Sequence, residues 1–141
     1  GINAEYGIGS PLYMSPELLA GLAYNSKSDV YSMGVVLYRL LAGELPFAGG
    51  TFEEHRARVR AEDVPTIHST HDFQLKAICY KMLHKDSAKR SDIMELLCED
   101  YLQSYLQEMA AYYQEIGCVD AFLQIKAIQS HKLIQQKFAL E

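Results

Sequence analysis

At 141 residues, 49% hydrophobic and 22% charged, the chain has the size of one domain and the composition of an ordinary globular protein, too apolar to be disordered. A net charge of −5 argues against nucleic-acid binding, which depends on cations that neutralise phosphates. The densest basic run, His55-Arg56-Ala57-Arg58-Val59-Arg60, reads as a solvated helix face. No apolar run is long enough to span a bilayer, and no secretory leader pattern opens the chain.

Residues 1–16 are rich in Gly, Ser and Pro and read as a loop. Ser15-Pro16-Glu17 then predicts a short helix, with a Ser N-cap, Pro in the first turn and an early acid, ending at Gly21. Ser28-Asp29 opens a nearly unbroken apolar stretch, Val30–Ala42, stopped by Gly43. A helix apolar almost all round is expected at the centre of a domain. Thr51 can cap an amphipathic helix over Phe52–Arg60, and residues 63–70 are polar loop. Asp72 can cap a helix carrying Phe73, Leu75, Ile78, Cys79, Met82 and Leu83, and another begins at Ser91 or Asp92. From Tyr101 helical spacing continues through Leu102, Tyr105, Met109, Tyr112 and Ile116. Gly117 interrupts it before a last amphipathic segment to Phe138. No strand pattern or internal repeat emerges, so the expected class is all-α.

Cys79, Cys98 and Cys118 lie within apolar helical patterns without paired spacing. They read as free buried thiols in a reducing compartment, not as a disulfide framework or zinc site.

Four stretches carry a more specific signal. Gly9-Ser10-Pro11-Leu12-Tyr13-Met14-Ser15-Pro16-Glu17 resembles the end of the activation segment of protein kinases. Ser28-Asp29-Val30-Tyr31-Ser32-Met33-Gly34-Val35-Val36-Leu37-Tyr38 resembles that family's buried central helix, and Leu45-Pro46-Phe47 the turn after it. Met82-Leu83-His84-Lys85-Asp86-Ser87-Ala88-Lys89-Arg90 is similar to the family's late M-L-x-x-D-x-x-x-R. One such match is weak; four in order are specific. Tyr24-Asn25-Ser26-Lys27-Ser28-Asp29 looks most like NIMA-related (NEK) kinases. Tyrosine-kinase-like Ser/Thr kinases come second, because the usual NEK tryptophan is Tyr31 here.

The resemblance implies a kinase C-lobe over residues 1–100 and a helical extension over 101–141. It implies a Glu17–Arg90 ion pair, Asp29 accepting backbone N–H groups of a catalytic loop, and Val36 and Leu40 supporting the adenine-pocket floor. Ser10 would bond the catalytic aspartate, favouring Ser/Thr specificity, while Gly7, Pro11 and Met14 would line the pocket for the substrate residue after the phosphoacceptor. Glu5 precedes Tyr6, where many kinases carry an activating phosphosite. Arg39 stands where many carry a glutamate that selects basic substrates.

The glycine-rich loop, strand lysine, H-R-D and D-F-G that a kinase needs are not in this sequence. The expectation is therefore no catalytic residue, metal or cofactor site in this chain, with ATP and Mg²⁺ bound by upstream parts of a complete parent. The expected partners are a protein substrate and, through the tail, a second copy; a pseudokinase or docking module is the alternative. The expected location is cytoplasmic, with cytoskeletal association if the parent is NEK-like.

Overall fold

The computed structural model describes residues 10–140. Gly7, together with Glu5 and Tyr6, lies outside the described residues. Every regular element among those described is helical: a 3₁₀ turn at Pro11–Tyr13, then α1 (Pro16–Leu19), α2 (Ser26–Ala42), α3 (Phe52–Ala61), α4 (Phe73–Met82), α5 (Ile93–Leu97), α6 (Asp100–Glu115) and α7 (Val119–Ala139). The chain divides into two compact units, residues 1–92 and 93–141.

In the first unit the helix starts follow local capping chemistry. Ser15 caps α1, its Oγ accepting from the Leu18 amide at 3.4 Å, with Pro16 opening the helix. Thr51 and Glu54 form a reciprocal capping box on α3: Thr51 N donates to Glu54 Oε2 at 2.7 Å and Glu54 N to Thr51 Oγ1 at 3.2 Å. Asp72 caps α4 through the Gln74 amide at 2.7 Å.

The long helix α2 begins two residues earlier than Ser28-Asp29 suggests. Asn25 is its cap, accepting from the Lys27 and Ser28 amides, and Ser28 Oγ accepts in return from the Asn25 amide. An Asx cap with a hydroxyl at the third helical position outcompetes a later start, because it satisfies three amides at once. At the other end Gly43, at φ +81°, takes the left-handed conformation that closes the helix.

Packing in this unit is centred on α2. Tyr31, Val35, Tyr38 and Leu41 are buried with Leu19, Phe47, Val59, Ile67, Cys79 and Leu83. Gly34 permits the closest approach: a Cβ there would sit 2.8 Å from Met82 Cβ and 3.0 Å from Leu83 Cδ2. The irregular segment after α3 is tied to this core by Tyr38 donating to the Pro65 carbonyl (3.1 Å) and by the Ile67 amide donating to Tyr80 Oη (2.8 Å).

α2 is not buried all round, as its composition suggests. Asp29, Met33, Val36 and Leu40 share one stripe at helical spacing, and all four are exposed. Nor is the basic run of α3 a uniformly solvated face: His55 and Val59 are buried. The cysteines diverge too. All three are free, but only Cys79 is buried; Cys98 is half-buried and Cys118 exposed in the turn before α7.

In the second unit α6 and α7 are joined through Ile116-Gly117-Cys118 and pack as an antiparallel hairpin. Leu106, Ala110 and Ile125 are its buried centre, flanked by Tyr113, Phe122 and Ile128. Gln129 donates to Gln107 at 2.9 Å, and Lys132 is paired with Asp100. The hairpin thus closes on Leu106 and Ala110 and not on the stripe of Leu102, Tyr105, Met109, Tyr112 and Ile116. α7 takes the neighbouring stripe and leaves Tyr105, Met109, Tyr112 and Ile116 exposed.

Candidate functional site

The polar chemistry of the first unit gathers around residues 10–17. Ser10 is exposed, and its Oγ accepts from the Leu12 amide at 3.4 Å, capping the 3₁₀ turn. Pro11, Leu12, Tyr13 and Met14 are half-buried.

Three side chains from two helices hold this turn. Ser32 on α2 donates to the Tyr13 carbonyl at 2.7 Å. Arg39, two turns further along, donates to Tyr13 Oη at 2.8 Å. His55 on α3 is wedged between two carbonyls, Nδ1 lying 2.8 Å from Phe47 O and Nε2 3.0 Å from Pro11 O. The turn therefore sits on a braced platform, its Ser10 end open to solvent.

Directly behind it lies the strongest electrostatic feature of the unit. Glu17 on α1 receives both prongs of the Arg90 guanidinium, Nη1 to Oε1 at 2.7 Å and Nη2 to Oε2 at 3.1 Å. Ser28 donates to the same Oε1 at 3.1 Å. Arg90 is 1% exposed and Glu17 9%. The guanidinium also donates to the carbonyls of His84 (2.8 Å) and Lys27 (2.7 Å), and lies 5.1 Å from the Tyr31 ring centroid. Burial pushes the Glu17 carboxyl upward, but the Arg90 bonds and further hydrogen bonds outweigh it and hold the pKa at about 2. Tyr31 is shifted to about 12, chiefly by burial.

Two other groups of predicted residues stand apart from this cluster. Asp29 is exposed and accepts from the Tyr24 hydroxyl, so it is not left without a partner. Val36 and Leu40 are exposed on the α2 stripe, Leu40 at 72%. Among the described residues no three His, Cys, Asp or Glu side chains group as a metal site requires, and no helix is long and apolar enough to cross a membrane.

The sequence of the protein kinase domain matches residues 3–102 of this chain. The chain belongs to the protein kinase family. Among curated kinases it is 32% identical to the serine/threonine-protein kinase Nek11 of Homo sapiens over 87% of this chain and 19% of that protein. It is 30% identical to the serine/threonine-protein kinase Nek6 of Oryza sativa subsp. japonica over 88% of this chain and 22% of that protein. It is 40% identical to the probable serine/threonine-protein kinase MARK-A of Dictyostelium discoideum over 70% of this chain and 9% of that protein. The chain thus spans about a fifth of the length of the Nek relatives, and the NEK likeness agrees with the residues around Tyr24–Asp29.

Reading the kinase motifs leaves out the brace beneath the turn. Ser32 sits inside matched helix sequence, where its side chain looks merely polar, and the resemblance points Arg39 to substrate selection and not to the turn. His55 carries a usable signal: with Phe52 and Val59 it falls on one i, i+3, i+7 stripe, the inward face of α3.

Proposed function

We propose that this chain is the substrate-facing part of a Ser/Thr protein kinase domain, residues 1–100, with a helical extension over 101–141. In the complete parent, ATP and Mg²⁺ are held by residues outside this chain, and the γ-phosphoryl group passes to a Ser or Thr hydroxyl of a protein, leaving ADP. In this reading the chain contributes substrate positioning. Pro11 and Met14 line the pocket for the substrate residue after the phosphoacceptor, and Ser10 reaches toward the catalytic aspartate. Asp29 anchors the catalytic loop, in exchange for its bond to Tyr24. Val36 and Leu40 support the adenine-pocket floor. The parent is cytoplasmic.

The observation that carries this reading is the braced turn at Pro11–Met14. Ser32, Arg39 and His55 fix its backbone from below while Ser10 stays exposed. A rigid, outward-facing turn is what positioning a flexible peptide requires. The test is phosphoryl transfer by the complete reading frame to Ser, Thr and Tyr peptide arrays. Transfer to Ser/Thr that falls steeply in Ser10→Ala supports the reading. No transfer, from a frame that includes the strand lysine and both aspartates, refutes it. A frame lacking those residues makes the parent a pseudokinase.

The tail supports one further role, self-association. Tyr105, Met109, Tyr112 and Ile116 lie at alternating spacings of four and three, all exposed. Sedimentation equilibrium should show a concentration-dependent dimer that Met109→Glu abolishes; a strictly monomeric chain counts against it.

A further inference from the structure

Between α1, α3 and the turn at residues 85–87, all within the first unit, lies a cleft of about 470 Å³. Its floor is apolar: Leu19 and Val59 are 5% and 1% exposed. Leu22 stands on its rim at 65% exposure.

The charge around this floor opposes that of the chain. Arg56 and Arg60, one turn apart on α3, line one wall, and Lys85 lines another. Two carboxylates share the lining, but Glu17 is taken up by Arg90, which leaves Asp86 there. Glu62 and Asp63 act on Lys85, so Arg56 and Arg60 are the cations that set the charge of the cleft. Lys85 is itself engaged, donating to the Val59 carbonyl and lying 5.0 Å from the Phe47 ring centroid. Arg56 makes a surface pair with Glu53 at 3.5 Å, whose carboxylate is 71% exposed. Exposed pairs of that kind are weak and exchange readily for a better-placed acid. Two guanidinium forks above an apolar pocket, on a protein of net charge −5, form a local site for anions with an apolar group attached.

We propose that this cleft docks an acidic peptide segment of a partner protein. One branched or aromatic side chain of that segment rests on Leu19 and Val59, and its flanking carboxylates meet Arg56 and Arg60. The volume suits one such side chain with its backbone, and pairing an apolar anchor with arginine-read acids gives affinity and register together. The site uses none of the groups assigned above to substrate positioning at Ser10, Pro11 and Met14, so it can fail without touching that assignment.

The test is selection of random peptides displayed against the full chain, with affinities of enriched sequences measured by fluorescence anisotropy. Expected are sequences with two or more Asp or Glu residues around a Leu, Ile or Phe. Their affinity should fall roughly tenfold or more in Arg56→Glu/Arg60→Glu, which alters only exposed side chains, and drop again as salt is raised. Leu22→Ser should weaken them several-fold through the apolar rim. Enriched peptides without an acidic bias, affinity indifferent to the double charge reversal, or binding of inorganic phosphate with no enriched peptide would each overturn the proposal.

Discussion

Replacing Arg90 with leucine keeps most of the buried bulk and removes every donor of the guanidinium. The structure sets the size of the loss. Glu17 would lose both prongs, at 2.7 and 3.1 Å, while remaining 9% exposed. The carbonyls of His84, Lys27 and Lys85 would lose donors at 2.8, 2.7 and 3.4 Å. A buried charge stripped of its partner costs about 3–5 kcal/mol. The carbonyls add to this only as far as water fails to reach them, so about 4–5 kcal/mol is expected. Small domains have roughly 5–15 kcal/mol in total, so the first unit would be left marginal. Arg90→Lys, which keeps the charge but not the fork, should cost about 2–3 kcal/mol.

Urea unfolding followed by far-ultraviolet circular dichroism, at constant denaturant slope, reads these differences directly. The decisive comparison is a double-mutant cycle with Glu17→Gln. Once the carboxylate is gone, losing Arg90 strands no charge, so the double variant should be more stable than the summed singles predict by about 2–3 kcal/mol. Costs that add to within ~0.5 kcal/mol, or an Arg90→Leu penalty below ~1 kcal/mol, would refute the view that this pair holds α1 to the end of the unit.

The same pair predicts a pH dependence. The Glu17 carboxyl falls from 4.5 to about 2 on folding, so its contribution is complete above pH 4.5 and drains away as pH drops through 2. The stability gap between the natural chain and Glu17→Gln should close over that window; a constant gap rejects the assignment. Gly34→Ala forces a Cβ to 2.8 Å from Met82 Cβ, an atom fixed to backbone. It should destabilise by about 1–2 kcal/mol despite alanine's better helix propensity, and an unchanged urea midpoint would show that α4 can retreat freely. His55→Ala leaves the carbonyls of Phe47 and Pro11 without the ring, at a cost of about 1–3 kcal/mol. It should also speed proteolysis near Pro11–Met14; equal cleavage rates would contradict the bracing role. Iodoacetamide should label exposed Cys118 in the native chain but reach Cys79, shifted to about 12 by burial, only on unfolding.

What the sequence revealed best were features encoded within a few residues. Ser15-Pro16, Thr51 and Asp72 mark their helix starts because the capping oxygen and the amide it serves are near neighbours. Ser28-Asp29 points to a start for α2 two residues late, because Asn25 and Ser28 act as a pair and a lone Ser-Asp looks equally good. Glu17 and Arg90 come together as the kinase resemblance implies, although nothing in their local sequence points from one to the other. Which stripe closes the hairpin is not legible in the sequence, because two adjacent stripes of α6 are both apolar. The small Ala110 lets α7 approach on the stripe that periodicity alone ranks no higher. The partners of the brace formed by Ser32, Arg39 and His55 are hidden for a different reason, although the stripe shared with Phe52 and Val59 marks His55 as inward-facing. The three bonds that reach the turn join positions 19, 26 and 44 residues apart, distances at which spacing carries no information.

The Glu17–Arg90 bridge also sets a schedule for biosynthesis. It closes a segment of 73 residues, so the acid leaves the ribosome long before its cation exists. At a translation rate of roughly 5–20 residues per second, the wait is about 4–15 s. During that interval the Glu17 carboxylate has Ser28 but no cation to pair with. A ribosome stalled a few codons short of Arg90 would carry a product whose buried acid has no cation to meet.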